Sequence, residues 1–150
     1  MQVQLLTPKR KKTAEDLGDV KPICDSKGKH MTDGRVWEFE ESLWTGTAEH
    51  YREIVDAECL MVLPEPPFVL VGEQAIAAVS DTPRWEKVTT SARHIQRPQE
   101  GLIVVGYKVE AFKPEGKAYE AYCTSTYRRL EQGVWRVVQH QQTLSLHSNS

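Results

Sequence analysis

The sequence predicts a single α+β domain in which an antiparallel sheet wraps around a helix-capped pocket. Two observations support this fold class. Helical periodicity lies in the first half of the chain, and from Val88 to Leu146 the chain reads as four consecutive β-segments. The turns between these segments are short, so we expect antiparallel neighbours, because a parallel crossover needs a dozen or more residues. The length of 150 residues is typical of one domain.

The first part of the chain is predicted to be a disordered basic tail, residues 1–31. Residues 1–30 contain seven Lys or Arg and four Asp or Glu, without helical or strand periodicity. A nuclear-localisation or anionic-surface role is the alternative for the run Lys9–Lys12. We also hypothesise that translation begins at Met31. Detection of peptides from upstream of Met31 by mass spectrometry of the natural protein would contradict this hypothesis. Residues 32–146 then form the domain, and 147–150 a C-terminal tail.

Two helices are predicted at the start of the domain. Asp33 is a good N-cap for the first helix, and Gly46 ends it at the C′ position. Thr47 caps the second helix. The apolar faces consist of Val36, Phe39, Leu43 and Trp44 in the first helix and of Tyr51, Ile54 and Val55 in the second.

The apolar runs Cys59–Leu63 and Phe68–Val71 are predicted to form a small hairpin, and Glu73–Val79 a short helix. Four strands follow, bounded by Gly- and Pro-containing turns: Val88–Gln96, Leu102–Phe112, Lys117–Leu130 and Val134–Leu146. In the third of these, alternation places Tyr119, Ala121, Cys123, Ser125 and Tyr127 on one face.

Composition argues against several classes of function. The chain is 39% apolar and 27% charged with a net charge of −2, and it lacks the roughly 20-residue apolar run of a membrane helix. Arg128-Arg129 is a poor basic patch, so we predict no nucleic-acid partner. Three widely spaced cysteines, Cys24, Cys59 and Cys123, favour a reducing compartment and a cytoplasmic location. The histidine spacing suits no metal site, and no cofactor is predicted.

The order of elements and three motifs resemble the nuclear transport factor 2-like superfamily. The motifs are Leu43-Trp44-Thr45-Gly46, Leu63-Pro64, and Trp135-Arg136-Val137-Val138 through His140-Gln141-Gln142-Thr143. Residues 32–146 look most like a bacterial SnoaL-like branch known as a domain of unknown function. The resemblance implies a cone-shaped, cystatin-like fold with a strongly bent antiparallel sheet and N-terminal helices on its concave face. It also implies a homodimer formed through the sheets and a pocket between sheet and helices.

The ketosteroid isomerases of this superfamily need a carboxylate base and two hydrogen-bond donors that hold an enolate oxygen. The matching positions here are Leu63 for the base, Phe39 for the helix tyrosine and Ser125 for the second acid. All three functional groups are missing. The resemblance therefore does not extend to that chemistry.

His140 is the candidate general base, because the resemblance places it on the pocket side of the last strand together with Val138. A neutral imidazole is a competent base near physiological pH. Tyr127 and Ser125 are the candidate hydrogen-bond donors to a substrate. The alternative is that His140 is a core histidine that is hydrogen-bonded to a neighbouring strand.

The candidate ligand-binding residues are Trp44, Tyr51, Trp85, His94 and Tyr107. Converging aromatic rings would suit a small apolar ligand that carries one polar group. The alternative is that they form the core, which we favour for Trp44, whereas Trp85 is expected at the pocket mouth. Glu65 is expected in an exposed turn or at the pocket entrance, and Asp56 and Glu58 are expected to be solvated.

Three functions remain open from the sequence. The first is a small-molecule-binding protein of uncharacterised specificity. The second is a cofactor-independent lyase, isomerase or cyclase that acts on a small carbonyl or polyketide-like metabolite, with His140 as the base. The third is a dimerisation module without a ligand. A cavity too small for a ligand would exclude the first two.

Overall fold

The computed structural model describes residues 31–80, 84–116 and 118–146. Both predicted tails, apart from Met31, and the segment 81–83 lie outside the described residues. The helices are α1 (Asp33–Thr45), α2 (Ala48–Ile54) and α3 (Gly72–Ser80), with a 3₁₀ turn at Glu131–Gly133. The strands are β1 (Val55–Val62), β2 (Val69–Val71), β3 (Lys87–Gln99), β4 (Leu102–Phe112), β5 (Ala118–Arg129) and β6 (Trp135–Thr143). None of the helices within the described ranges is long and apolar enough to cross a membrane.

Capping residues set the bounds of the first two helices. Thr32, rather than the predicted Asp33, caps α1, because its Oγ1 accepts a hydrogen bond from the backbone N–H of Arg35 at 3.3 Å. Thr47 caps α2 as predicted, accepting from the N–H of His50 at 3.1 Å. Gly46 separates the helices with φ −73°, not in the left-handed conformation expected of a C′ glycine. A Cβ there would lie 2.7 Å from the carbonyl oxygen of Ser42, so close packing requires the glycine.

The six strands form one sheet in the order β2-β1-β6-β5-β4-β3, which confirms the α+β class. The β1–β2 hairpin and the β3–β4–β5–β6 meander are antiparallel as predicted. However, β1 pairs with β6 in parallel, so the sheet is mixed. The parallel pair joins the N-terminal hairpin to the C-terminal meander, two parts of the chain that are far apart in sequence.

The core lies between the helices and the inner face of this sheet. Along β5 the predicted alternation is confirmed, with Ala121, Cys123, Ser125 and Tyr127 buried. Two edge-to-face ring contacts join α1 to the sheet, Trp37 to Tyr107 with centroids 5.6 Å apart and Phe39 to Tyr127 at 5.3 Å. Burial raises the pKa of the Cys59 and Cys123 thiols to about 12, so both thiols stay protonated at neutral pH.

A β-bulge in β6 decides which residues of that strand face inward. Thr126 pairs with Gln139 and Tyr127 pairs with Val137, so Val138 is an extra residue. The bulge shifts the alternation by one residue. Val137 and His140 are therefore both buried, with 0% and 4% exposure. The prediction that Val138 shares the inner face with His140 is wrong for this reason.

A second irregularity, which we call the β1 bulge, comprises residues 56–59 between the pairs Val55–Val137 and Leu60–Gln139. Asp56 in this bulge is buried, not solvated as predicted. Its Oδ2 accepts hydrogen bonds from Nε and Nη2 of Arg128 at 3.1 and 2.9 Å. Gly72 begins α3 against the same bulge with φ +32°, and a Cβ there would lie 2.1 Å from the Ala57 carbonyl oxygen.

Candidate functional site

A cavity of about 510 Å³ opens between the three helices and the inner face of the sheet. Its apolar wall includes Leu43 from α1, Met61 from β1, Leu70 from β2 and Val79 from α3. The loop between β1 and β2 forms part of the rim, where Glu65 is exposed, as expected for the pocket entrance. The cavity is large enough for a drug-sized molecule.

Aromatic rings lie together on one side of this cavity. Trp85 and Tyr119 stack with centroids 5.5 Å apart and an interplanar angle of 26°. Trp44 lies 6.2 Å from each of these rings. Trp44, Tyr51 and Trp85, all predicted to bind a ligand, line the cavity.

Two cationic side chains also line the cavity, Arg84 and Lys113. Arg84 donates from Nε to the carbonyl oxygen of Gly46 at 2.7 Å, and from Nη2 to that of Leu43. These carbonyls lie at the C-terminal end of α1, where backbone C=O groups have no partner within the helix, so Arg84 stabilises the helix terminus. Burial lowers the pKa of Arg84. Lys113 places its Nζ 4.3 Å from the centre of the Trp85 ring.

The polar end of the cavity consists of His140, Gln142 and Tyr119. The amide nitrogen of Gln142 lies 3.1 Å from Nε2 of His140. The hydroxyl of Tyr119 donates to Oε1 of Gln142 at 2.7 Å. The three side chains are therefore connected, and they bring hydrogen-bond donors and acceptors to one end of the cavity.

Behind this end lies the Glu40 cluster, comprising Glu40, Tyr107, Ser125, Tyr127 and His140. Glu40 is completely buried in α1. Its Oε2 accepts from the hydroxyls of Tyr107 and Ser125, both at 2.6 Å, and its Oε1 accepts from Tyr127. Three hydroxyl donors directed at two oxygens are the arrangement that an ionised carboxylate accepts.

Sequence reasoning missed Glu40, although a signal was present. Glu40 follows Val36 by four residues and precedes Leu43 by three, so it lies within the apolar stripe of α1. An acidic residue in such a stripe is buried and needs hydrogen-bond partners. The partners come from β4 and β5, and the sequence of the helix does not identify them.

In this cluster the acceptor of each tyrosine hydroxyl proton can be assigned from the hydrogen bonds. The indole of Trp44 donates to the oxygen of Tyr107 at 3.1 Å, and indole is solely a donor, so the Tyr107 proton goes to Glu40. Burial and the Glu40 carboxylate raise the pKa of both Tyr107 and Tyr127 well above the usual value. Both phenols therefore remain protonated and donate to Glu40.

His140 joins the cluster to the cavity. Its Nδ1 lies 2.7 Å from Oγ of Ser125 and 3.7 Å from Oε2 of Glu40. Because the Ser125 proton points to Glu40, Nδ1 carries the imidazole proton and donates it to Ser125. Burial lowers the pKa of His140, and the nearby Glu40 carboxylate opposes this shift. The imidazole is therefore neutral at neutral pH, with Nε2 as an acceptor.

The remaining predicted site residues lie elsewhere. Tyr107, Ser125 and Tyr127 are in the Glu40 cluster and do not line the cavity. The hydroxyls of Ser125 and Tyr127, the expected donors to a substrate, both donate to Glu40 in this structure. His94 is exposed on β3, since a register shift between Ser91 and His94 alters the alternation of that strand. His94 therefore does not line this cavity, where it was predicted.

Within the part of the chain that the structure describes, no group of three His, Cys, Asp or Glu side chains is placed to hold a metal ion. The positions that correspond to the isomerase groups also lack that chemistry. Leu63 lines the cavity, Phe39 packs on Tyr127, and Ser125 donates to Glu40. The buried acidic and basic side chains closest to this cavity are instead Glu40 in α1 and His140 in β6.

Comparison with solved structures identifies the fold. A provisionally assigned ketosteroid isomerase from Parabacteroides distasonis superimposes with a TM-score of 0.67 at 17% identity, covering 80% of this chain and 95% of that one. A nuclear transport factor 2-like protein from Cytophaga hutchinsonii gives 0.62 at 18% identity, covering 77% and 100%. The association domain of calcium/calmodulin dependent protein kinase II from C. elegans gives 0.56 at 16% identity, covering 72% and 88%.

No protein-family model matches the chain, and no curated protein sequence does. The likeness therefore rests on the arrangement of helices and strands, at identities of 16–18%. The same arrangement is found in a provisionally assigned enzyme and in an association domain. The chain has the nuclear transport factor 2-like fold, as the resemblance of its sequence implied.

Proposed function

We propose that this protein binds a small, mostly apolar molecule whose polar group lies at the polar end of the cavity. The observation that carries the proposal is the cavity of about 510 Å³ with an apolar and aromatic wall and polar side chains at one end. Ligand sites in proteins have this composition and a volume of about 300–1,000 Å³. A dimerisation module whose interior is filled by side chains would lack such a cavity.

Filling the cavity tests the proposal. Ala77 and Ala78 are both exposed residues of α3, but only Ala78 lines the cavity. We expect the fluorescent probe anilinonaphthalene sulfonate to bind the wild-type chain and to quench tryptophan emission, because Trp44 and Trp85 line the site. Ala78→Phe should weaken this binding by about tenfold, a loss of about 1.4 kcal/mol.

The matched control is Ala77→Phe, which adds the same ring outside the cavity and should leave the affinity unchanged. Equal binding by wild type and both variants would place the probe elsewhere and contradict the proposal. Native mass spectrometry of the protein purified from its source would report a retained ligand and the oligomeric mass together.

A second candidate function is acid–base catalysis, and the position of His140 favours it. Its Nε2 faces the polar end of the cavity, and the imidazolium formed on proton uptake would lie 3.7 Å from the Glu40 carboxylate. Such a pair suits a cofactor-independent lyase, isomerase or cyclase that acts on a small carbonyl or polyketide-like metabolite. His140→Ala should abolish turnover of such a substrate with the Tm changed by a few degrees at most. Unchanged turnover would exclude His140 as the base.

We also propose a homodimer formed through the outer face of the sheet. Leu60 on β1 is 46% exposed and pairs with the exposed Val71 on β2, next to the exposed Val69, and Tyr122 on β5, 51% exposed, lies further along the same face. Exposed apolar clusters of this kind are typical of protein interfaces. Tyr122→Glu should convert the dimer to a monomer in light scattering. A wild-type chain that is monomeric at high concentration would contradict the proposal.

A further inference from the structure

We infer that the polar end of the cavity accepts a hydroxyl proton, and that the ligand is a flat, apolar molecule carrying a phenolic or enolic O–H that it donates to Nε2 of His140. This inference rests on the proposed ligand-binding function and specifies its chemical class. It follows from the order of protons in the Glu40 cluster, from the contacts of Gln142 and from the shape of the aromatic wall.

The tautomer of His140 is determined by Ser125 and Glu40, which do not line the cavity. Ser125 has one hydroxyl proton, and its Oγ lies 2.6 Å from Oε2 of the acceptor Glu40. The bond between Ser125 and Nδ1 of His140, 2.7 Å long, must therefore use the imidazole proton. A neutral imidazole has one such proton, so Nε2 presents a lone pair. Glu40 and Ser125 are thus positioning residues that act through His140.

Gln142 shows how this lone pair is satisfied without a ligand. Its amide nitrogen donates to Nε2 of His140 at 3.1 Å, while its Oε1 accepts from Tyr119. A ligand hydroxyl in place of the amide donor would preserve the bond to Nε2, and its oxygen could accept from Gln142. An ether or ketone oxygen in that place would face the lone pair of Nε2 and lose the bond.

The aromatic wall favours a ligand with a planar body. Trp85 and Tyr119 are stacked, and Trp44 faces His140 edge to face with centroids 6.0 Å apart. A planar body fits such a wall through offset or edge contacts. Arg84 and Lys113 also line the cavity, so an anionic ligand could be attracted by charge alone. A neutral probe is therefore needed to separate donation to His140 from charge attraction.

Two measurements on the full chain test the inference. The first is the nitrogen NMR spectrum of isotope-labelled histidine above neutral pH, with His140→Asn used to assign the signal. We expect the His140 proton on Nδ1. A proton on Nε2 would overturn the inference, because that atom would then be a donor.

The second measurement compares 2-naphthol with its methyl ether, 2-methoxynaphthalene, by quenching of tryptophan fluorescence. We expect 2-naphthol to bind about tenfold more tightly, the effect of about one hydrogen bond that the ether cannot make. His140→Asn keeps an N–H donor facing Ser125 but removes the Nε2 acceptor, and it should abolish the preference. Thr124→Ala, which removes a hydroxyl from the outer face of the same strand as Ser125, should retain it.

The outcomes separate the inference from the proposed function. Equal binding of the two probes by the wild-type chain would overturn the inference and leave ligand binding intact. A preference that persists in His140→Asn would also overturn it, because the hydroxyl would then be recognised by another group. Failure of both naphthalene probes and of anilinonaphthalene sulfonate to bind would contradict the proposed function itself.

Discussion

Among the described residues two carboxylates are buried, Glu40 in α1 and Asp56 in the β1 bulge, and their surroundings differ. Asp56 is paired with the guanidinium of Arg128, whose side chain is 43% exposed, and with the backbone N–H of Glu58 at 2.8 Å. Glu40 accepts hydrogen bonds from three hydroxyl groups, and its Oε2 lies 3.7 Å from Nδ1 of the neutral His140 imidazole. A permanent cation partly neutralises the first carboxylate, whereas the second is stabilised by oriented dipoles. Only the second is connected to the cavity.

This difference indicates two roles for a buried acid. The Asp56–Arg128 pair holds an irregular part of the sheet, where β1 carries extra residues against β6. The Glu40 cluster fixes the direction of each hydrogen bond between Glu40 in α1 and His140 at the wall of the cavity. Changes to the two regions should therefore differ in their effects on stability and on the titration of His140.

The largest effect is expected from Glu40→Leu. Removal of the carboxylate leaves the hydroxyls of Tyr107, Ser125 and Tyr127 buried without their acceptor. Each unsatisfied buried donor costs about 1–3 kcal/mol, so the free energy of unfolding should fall by about 3 kcal/mol or more. Urea denaturation measures the loss. A loss smaller than that of Asp56→Asn would contradict the ranking of the two regions.

The next effect concerns the backbone at the β1 bulge. Gly72→Ala should lower the free energy of unfolding by about 2 kcal/mol, because of its positive φ and the contact of a Cβ with the Ala57 carbonyl. Gly34→Ala is the matched control, since a Cβ at Gly34 meets nothing within 4 Å. That control lies in the exposed first turn of α1 and should be neutral or slightly stabilising. Equal losses in the two variants would show that the bulge does not require glycine.

Asp56→Asn should have a smaller effect. The amide oxygen can still accept from the N–H of Glu58, but the NH₂ group that replaces Oδ2 cannot accept from Arg128, so the ion pair and its two hydrogen bonds are lost. We expect a loss of about 1–2 kcal/mol in urea denaturation, reduced by added salt because Arg128 is partly exposed. A loss that does not change with salt would show that the pair acts through packing rather than charge.

The smallest effect is a pH dependence that belongs to the Glu40 cluster. Burial holds the pKa of His140 in the folded chain below the unfolded value of about 6.5, with Glu40 as the charged group facing the ring. As the pH falls below about 6.5, His140 is protonated in the unfolded chain before it is protonated in the folded chain. The free energy of unfolding therefore decreases with falling pH until the pH reaches the pKa of His140 in the folded chain. Above that range there is no contribution.

The slope should be at most about 1.4 kcal/mol per pH unit from this residue. It is measured as the difference between wild type and His140→Asn, which cannot titrate, in urea denaturation over a pH series. A wild-type stability that rose as the pH fell through this range, relative to His140→Asn, would contradict the neutral form of His140.

Much of the fold could be predicted because periodicity and turn residues are local. The strand Leu102–Phe112 has the predicted bounds, and the inner face of β5 is correct from Ala121 to Tyr127. The errors at His94 and Val138 have one cause. Both positions lie beside β-bulges, and an extra residue shifts a strict two-residue alternation.

The site was predicted in part. His140, Trp44, Tyr51 and Trp85 do line the cavity. Glu40 was missed, and with it the bonds that Ser125 and Tyr127 donate to its carboxylate. Burial of a polar group is apparent from a helical pattern, but its partner is not. The hydroxyls that reach Glu40 come from residues 67, 85 and 87 positions further along the chain.

The sequence by itself determined the class of fold and the order of its elements, because these depend on periodicities and turns within about ten residues. The tertiary structure alone decided that β1 pairs in parallel with β6 and that Glu40 receives its donors from β4 and β5. It also decided on which nitrogen His140 carries its proton. These features are contacts between distant segments, whose hydrogen-bond partners are defined only when the sheet closes over the helices.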